Sequence, residues 1–333
     1  MLSAEISCIY SRNNKTRRVH HIVLAPDLET VGKINKQLSF VGKLASDGRP
    51  ILGLDSEELA RIVFTINPDA VIIPAHAWTP WFGVLGSMSG FDSLKECFGE
   101  FTHKIFAIET GLSSDPTMNW RVPMLDKISF ISNSDSHSLQ RIGREANILD
   151  CELSYNGIMA AIKSRNPKKF LSTVEFFPEE GKYHYDGHRA CGIMMTPEET
   201  KRNNGLCLKC GKKSTIGVVY RVDQLAHKNR PEGYSDVKRI PFKNLVTLDK
   251  IIGEALDKGP NTKTVKKEYE KLIKVFGSEF NLLLNIPKKE IVPVAGEMIA
   301  EGVERVRNGK LTISPGYDGE FGTISIFSDK ERG

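Results

Sequence analysis

The sequence has no hydrophobic run of the roughly 18 to 20 residues that a membrane helix needs. Its opening segment, MLSAEISCIYSRNNKTRR, also lacks the apolar stretch of a secretory signal peptide. There are no internal repeats and no low-complexity tracts. We therefore expect a soluble, cytoplasmic protein without a membrane partner. Of the 333 residues, 40% are hydrophobic and 26% are charged, which allows one large core or two smaller ones.

Cysteine is also scarce, with six residues in the chain, and an intracellular protein of this size keeps its thiols reduced. Three of them form the pattern His188-x2-Cys191, fifteen residues, then Cys207-x2-Cys210. Two chelating pairs at this spacing predict a tetrahedral Zn²⁺ site. His184 competes with His188 as the fourth ligand, and the two-residue gap favours His188. A closed four-ligand site stabilises a fold and leaves no position open for catalysis.

The net charge of +5 is unevenly distributed. Residues 161–230 hold 14 lysines and arginines against 7 aspartates and glutamates. A polyanion such as a nucleic acid would bind most naturally there, although most lysines in such a stretch are ordinarily solvated surface.

The pattern of predicted elements divides the chain into three parts. Residues 1–165 contain short apolar runs that alternate with helical stretches, which is typical of βα units around a mainly parallel sheet. One helix should begin at Asp55, with Glu58 completing a capping box. Residues 166–225 are turn-rich, with one short helix predicted at Thr196. Residues 226–333 are mainly helical and end in two β-like runs around the turn PGYDGEFG.

Metal-binding side chains follow three consecutive predicted strands, and these residues are His76, Glu109, Asp135 and His137. Either His20 or His21 lies beside the first strand, with Glu5 upstream. In βα barrels the carboxyl ends of the strands converge on the active site. A mixed imidazole and carboxylate set of this kind suits Zn, Mn or Fe in a multi-metal hydrolytic centre.

Several segments carry a resemblance to a known family, namely GRPILGLD, VIIPAHAWTPWFG, AIETGLSSDPTMNW, SNSDSHSLQRIGREAN, the YHYDGHRAC and CLKCGKKSTIGV knuckles, and PGYDGEFG. With these the chain resembles endonuclease Q, a DNA-repair nuclease built on the polymerase-and-histidinol-phosphatase (PHP) domain. The resemblance covers essentially the whole chain. It implies a distorted PHP-type βα barrel of the α/β class in residues 1–165, then a small zinc-binding module and a helical C-terminal region.

The resemblance also implies an activity, which is hydrolysis of DNA on the 5′ side of a deaminated base (hypoxanthine or uracil) or of an abasic site. Glu5 resembles the family's bridging glutamate, and His20 and His76 resemble histidine ligands. Asp135 and His137 resemble the last ligand pair, while Glu109 lies in the family's ETG segment. The implied cofactors are a structural Zn²⁺ and catalytic Zn²⁺, Mn²⁺ or Mg²⁺. The implied partners are damaged double- or single-stranded DNA and a replication or repair factor, with a nucleoid location in a prokaryote.

One feature departs from the family pattern. PHP proteins open with an HxH motif on the first strand, and no such motif precedes Glu5. His20 and His21 are adjacent and cannot replace it, because neighbouring strand residues point to opposite faces. We expect the barrel to be incomplete at its N-terminus.

Aromatic and basic residues are the candidates for contacts with DNA. Trp78, Trp81 and Phe82 directly follow His76 and would either stack on an extruded base or close the barrel as core. The residues expected to follow the DNA backbone are Lys168, Lys169, Lys212, Lys213 and Arg221. The glycines of PGYDGEFG favour a tight turn over a direct contact with the nucleic-acid backbone.

Two other functions fit parts of the sequence. A PHP phosphatase acting on a small phosphomonoester would use the same metal ligands, but it has no need of a basic zinc module. A non-catalytic nucleic-acid-binding protein would explain the missing HxH motif.

Overall fold

The computed structural model of the protein describes residues 1–46, 48–236 and 239–332. The fold is of the mixed α/β class, as predicted. The strands, in chain order, are β1 (Leu2–Arg12), β2 (Lys15–Ala25), β3 (Ile51–Leu52), β4 (Val71–Pro74), β5 (Ala107–Glu109), β6 (Ser129–Ile131), β7 (Ala146–Leu149), β8 (Phe170–Glu175), β9 (Asp186–His188), β10 (Ile193–Met195), β11 (Phe242–Asn244), β12 (Thr312–Ser314) and β13 (Thr323–Ser325). The helices are α1 (Leu28–Leu38), α2 (Ser56–Ile66), α3 (Leu94–Phe98), α4 (Pro116–Trp120), α5 (Tyr155–Ser164), α6 (Pro197–Arg202), α7 (Val218–Leu225), α8 (Leu248–Ala255), α9 (Lys263–Phe276), α10 (Glu279–Leu284), α11 (Lys288–Ala295), α12 (Glu297–Arg307) and α13 (Asp329–Arg332).

The first sheet has the strand order β3-β1-β2-β4. Strands β1 and β2 form an antiparallel hairpin, and β2 pairs antiparallel with β4. Only the short pairing of β1 with β3 is parallel. The prediction of a mainly parallel sheet is therefore wrong for this sheet. The cause is a two-residue turn at Asn13 and Asn14, whose positive φ angles of 54° and 57° join two long strands directly.

A second, three-stranded sheet has the order β11-β8-β7. Strand β8 pairs antiparallel with β7 and parallel with β11. These three strands come from the three predicted parts of the chain, so hydrogen bonds join all three parts in one sheet. Elsewhere, β5 and β6 pair in parallel, β9 pairs with β10, and β12 pairs with β13 in antiparallel fashion.

The structure has a capping box at α6 but not at α2, where the sequence predicted one. The predicted short helix is α6, and Thr196 forms a capping box with Glu199. Helix α2 begins after Asp55 as predicted, but Asp55 accepts from the N–H of Glu57 without a capping box. Glu58 pairs with Arg61 along the exposed face of α2 instead, so the predicted capping box is wrong.

The apolar residues form two large cores. The first sheet packs against α1, α2 and α3, and α7 contributes Val218 and Val222 to the same core. The second core holds α8 to α12 together with Val174 of β8 and Ile324 of β13. Among the described residues, no helix combines the length and apolar character that a membrane crossing requires.

Candidate metal centre and cavity

The first sheet brings three candidate ligands together. His20 lies on β2, Glu5 lies on β1, and His76 follows β4. The Nδ1 atom of His20 is 2.7 Å from Oε1 of Glu5 and 3.1 Å from Nε2 of His76. Nε2 of His76 is 3.8 Å from the same Glu5 oxygen. Two ring nitrogens and one carboxylate oxygen that face a common point are a donor set suited to a divalent transition metal.

His20 rather than His21 joins this cluster. The two side chains lie on opposite faces of β2, as expected for neighbouring strand residues. Nε2 of His21 is 2.9 Å from Oγ of Ser56, and the ring is fully buried.

The charges in the cluster favour an ionised Glu5. Burial would raise the pKa of Glu5, but the hydrogen bonds with His20 and His76 hold it well below its usual range. Burial would lower the pKa of His76, but the neighbouring carboxylates of Glu5, Glu109 and Asp135 raise it. Metal binding would use the ionised carboxylate of Glu5 together with neutral imidazoles, so a bound metal would displace the proton that these carboxylates favour on His76.

Glu109 lies beside the cluster and is buried. Its Oε2 accepts from the backbone N–H of His76 at 2.6 Å, and its Oε1 accepts from Nδ2 of Asn133 at 2.8 Å. His76 has a φ of 29°, a conformation rare for a residue with a side chain. Glu109 therefore holds the backbone of His76, and a direct ligand role for Glu109 remains a prediction.

Asp135 and His137 line the same cavity as His20 and His76 but do not join the three-residue cluster. Nδ1 of His137 is 3.9 Å from Oδ1 of Asp135, and the His137 side chain is 74% exposed. The structure thus places both residues at the mouth of the site, and their ligand role remains a prediction.

The cavity above the cluster has a volume of about 690 Å³. Besides the candidate ligands, its lining combines aromatic and basic side chains, which are Trp81, Phe82, Phe176, Tyr183, Phe321, Arg49, Arg141, Arg144, Lys182 and Lys250. Of these residues, only Trp81 and Phe82 are predicted from the sequence. The segments GRPILGLD and SLQRIGREAN, which carry the resemblance, contain Arg49, Arg141 and Arg144. These motifs could therefore have identified the three arginines as candidate site residues. Arg49 donates a hydrogen bond to Glu5 and lies 2.9 Å from Nδ1 of His20.

Trp78 differs from Trp81 and Phe82. Its side chain is fully buried, and its Nε1–H donates to Oδ1 of Asn119 at 2.7 Å. Trp78 is a core residue with no free face on which a base could stack, so the stacking prediction is wrong for it. Trp81 and Phe82 line the cavity and are only partly buried.

Arg221 is also a structural residue. Its guanidinium donates to the carbonyl oxygens of Leu85 at 3.0 Å and Phe91 at 2.9 Å, and it pairs with Asp92. These contacts tie α7 to the first core and leave the side chain only 11% exposed. The prediction that Arg221 follows a DNA backbone is therefore wrong. The other basic residues predicted for that role, which are exposed and lie outside the cavity lining, are Lys168, Lys169, Lys212 and Lys213.

A second cluster lies in the knuckle segment. One ligand atom from each of His188, Cys191, Cys207 and Cys210 falls within 4.8 Å of the others. The backbone N–H of Lys209 donates to Sγ of Cys207 at 3.4 Å, and Nδ1 of His188 is 3.5 Å from Sγ of Cys210. These four side chains can hold one metal ion in a closed site.

His184, the competing ligand, lies outside the four-residue cluster and lines the cavity instead. Its ring is buried, and burial lowers its pKa to about 4 although the carbonyl of Pro178 opposes the change. The preference for His188 therefore agrees with the geometry.

The turn PGYDGEFG packs against the knuckle segment. The N–H of Tyr185 donates to the carbonyl of Gly316 at 3.0 Å, and a carboxylate oxygen of Asp318 accepts from the N–H of Arg189 at 2.6 Å. A Cβ atom at Gly316 would collide with the carbonyl oxygen of Gly181. The glycine thus permits a close backbone approach, which supports the structural interpretation of this turn.

Two curated proteins are similar to this chain over most of its length. A family model described as the MJ0043 C-terminal domain matches residues 247–310. The uncharacterized protein MJ0043 of Methanocaldococcus jannaschii is 32% identical over 269 residues, which cover 77% of this chain and 32% of that protein. The chain thus spans about a third of the length of this relative. The uncharacterized protein YqxK of Bacillus subtilis is 31% identical over 311 residues, which cover 92% of this chain and 73% of that protein.

Two solved structures share the fold. The lesion-specific endonuclease PfuEndoQ from Pyrococcus furiosus aligns with a TM-score of 0.82 and 32% identity, over 96% of this chain and 77% of that one. Endonuclease Q in complex with a 27-mer duplex that has an abasic lesion at the active site aligns with a TM-score of 0.82 and 31% identity, over 98% of this chain and 79% of that one.

Proposed function

This chain belongs to the endonuclease Q family, and from that premise we propose that it is a metal-dependent DNA-repair endonuclease. It would cut DNA on the 5′ side of a deaminated base, hypoxanthine or uracil, or of an abasic site. The observation that carries the proposal is the convergence of Glu5, His20 and His76 at a cavity with basic and aromatic walls.

The proposed mechanism assigns separate tasks to the side chains of the cavity. Glu5, His20 and His76 would hold the metal, and Asp135 and His137 would add ligands from the mouth. When bound there, Zn²⁺, Mn²⁺ or Mg²⁺ would supply an activated water molecule and would offset negative charge on the phosphate. Glu109 keeps His76 in place through its backbone N–H.

The cavity walls suit a nucleotide taken out of the base stack. Trp81 and Phe82 offer partly exposed rings beside the metal cluster, and aromatic faces stack on bases of any sequence. Arg141 and Arg144 can pair with phosphates near the cut. The exposed lysines Lys168 and Lys212, with their neighbours Lys169 and Lys213, would contact the DNA backbone further away.

We further propose that the second cluster holds a structural Zn²⁺. With it we propose the predicted domain division, namely a distorted PHP-type barrel in residues 1–165, a zinc-binding module in 166–225 and a helical region in 226–333. The zinc would fix the strands β9 and β10 and the loop that leads to α7.

The test is a nicking assay on 5′-labelled duplexes with deoxyinosine, deoxyuridine or an abasic site at one position. With added Mn²⁺, Mg²⁺ or Zn²⁺ we expect a nick 5′ of the lesion, no nick in an undamaged duplex, and none in the presence of a chelator. Asp135→Asn should abolish nicking because an amide is a poorer ligand, while DNA binding should persist or tighten. Asp69→Asn, at an exposed position beside β4, is the matched control and should nick normally.

Other outcomes would identify a different function. Hydrolysis of p-nitrophenyl phosphate without nicking would indicate a phosphatase. Salt-sensitive DNA binding without either reaction would indicate a non-catalytic binder. Full nicking by Asp135→Asn would show that Asp135 is not part of the metal centre.

A further inference from the structure

The loop 134–144 carries Asp135 and His137 and is closed at its base. The N–H of Gly143 donates to Oγ of Ser134 at 3.2 Å, and Nε of Arg144 donates to the carbonyl of Ser134 at 3.0 Å. The base therefore holds the tip of the loop in a defined position at the cavity mouth.

This loop exposes two large aliphatic side chains, Leu139 at its tip and Ile142 beside its base. Leu139 begins a short 3₁₀ turn and is 82% exposed, and Ile142 is 67% exposed. A single exposed leucine needs no explanation by itself. Here, however, it lies two residues after His137, on the same short loop as both candidate ligands.

Basic side chains flank the aliphatic tip. Arg141 and Arg144 line the cavity, Arg141 lying 3.4 Å from Asp249 and Arg144 lying over the ring of Phe176 at 5.7 Å. Such a surface, apolar at its tip and cationic at its sides, complements a base stack between two phosphate strands.

We propose that Leu139 is a wedge that enters the DNA base stack and fills the gap left by the extruded nucleotide. This inference rests on the proposed function. Extrusion of a base costs unstacking energy and leaves an apolar hole, and apolar side chains inserted between base steps are a known means of stabilising such distorted DNA. A wedge on the loop of Asp135 and His137 would couple the opening of the stack to the position of the metal ligands.

Leu139 suits this role better than two other exposed apolar residues, Ile142 on the same loop and Phe321 on the cavity lining. Ile142 is β-branched and precedes Gly143, at the pinned base of the loop. Phe321 lies on the cavity lining with the Lys182 ammonium 4.4 Å from its ring centroid. Its position suits contact with a base inside the cavity rather than insertion between base pairs.

The test compares one lesion in two contexts. Leu139→Ala should slow nicking of a deoxyinosine duplex by about tenfold or more, because the cost of unstacking is no longer offset. Nicking of the same strand without its complement should stay within about twofold, since no duplex has to be opened. Leu139→Phe should retain duplex nicking. The matched control is Leu153→Ala, because Leu153 is 96% exposed and lies outside the cavity lining.

Equal loss on both substrates would overturn the wedge and show that Leu139 only positions the ligand loop. No loss on either would overturn it as well. A second measurement does not depend on cleavage. It follows the fluorescence of 2-aminopurine placed beside an abasic-site analogue in the duplex, in the presence of a chelator. Wild type should raise this fluorescence and Leu139→Ala should not, and the absence of a rise with wild type would refute the wedge. If wild type nicks neither substrate, the proposed function fails, and the fluorescence still decides for or against the wedge.

Discussion

Trp78 and Trp81 are three residues apart but should respond to substitution in opposite ways. Trp78→Phe removes the indole N–H that donates to Oδ1 of Asn119 at 2.7 Å. Trp78 and Asn119 are both fully buried. Leaving that oxygen without a donor costs about 1–3 kcal/mol. Loss of packing around the smaller ring adds about 1–2 kcal/mol. We therefore expect Trp78→Phe to lower the free energy of unfolding by about 2–5 kcal/mol.

Trp81 lines the cavity and contacts Tyr183 edge-to-face, with ring centroids 5.4 Å apart. Trp81→Ala should cost only about 0.5–1.5 kcal/mol of stability through this contact. If Trp81 stacks on a base, its loss should weaken binding of lesion DNA by about 1–3 kcal/mol, which corresponds to roughly fivefold to 150-fold.

The assay is urea unfolding followed by far-ultraviolet circular dichroism, because tryptophan fluorescence itself changes in both variants. Affinity for a lesion duplex is measured by anisotropy in chelator at a fixed salt concentration. The reasoning is refuted if Trp78→Phe weakens DNA binding without loss of stability. It is also refuted if Trp81→Ala binds lesion DNA as wild type does, since the cavity wall would then not contact the base.

The remaining predictions concern the second cluster and the response to pH. Cys207→Ser should release one Zn²⁺ per chain by elemental analysis and lower the melting temperature, whereas Cys151→Ser, outside the cluster, should do neither. Burial lowers the pKa of His184 from 6.5 to about 4, so the unfolded chain binds this proton more readily than the folded chain. This difference in proton binding contributes up to about 3 kcal/mol to the free energy of unfolding. The contribution is fully present above pH 6.5 and is lost as the pH falls towards 4. His184→Phe should therefore flatten the fall in unfolding free energy across this range, and an unchanged pH profile would contradict the assignment.

The sequence was most informative where chemistry depends on local spacing. The knuckle residues His188 and Cys191 are joined by a short turn, so their spacing alone predicts that they meet, and the second pair adds Cys207 and Cys210. The helical C-terminal region was equally visible, because amphipathic periodicity is a property of each helix by itself.

Tertiary contacts were not visible in the same way. The direct sequence neighbours of His76 gave no indication that Trp78 turns inward to Asn119 while Trp81 faces the cavity. Arg221 had the composition of a surface cation, but its guanidinium satisfies carbonyl oxygens of the segment 85–92. In each case the partner lies far away in sequence, so residue type and local charge could not distinguish a structural role from a binding role.

The three-residue metal cluster depends on the register of one hairpin. In the β1–β2 pairing Glu5 lies opposite Ile22 and Ser7 lies opposite His20, so Glu5 and His20 are diagonal neighbours on one face. A slip of one residue would turn His20 away and present His21 instead. The turn at Asn13 and Asn14 sets this register, because both residues adopt the positive φ angles of a two-residue hairpin turn. The donor types could therefore be chosen from the sequence, but the choice between adjacent histidines is made by a turn that itself carries no metal-binding group.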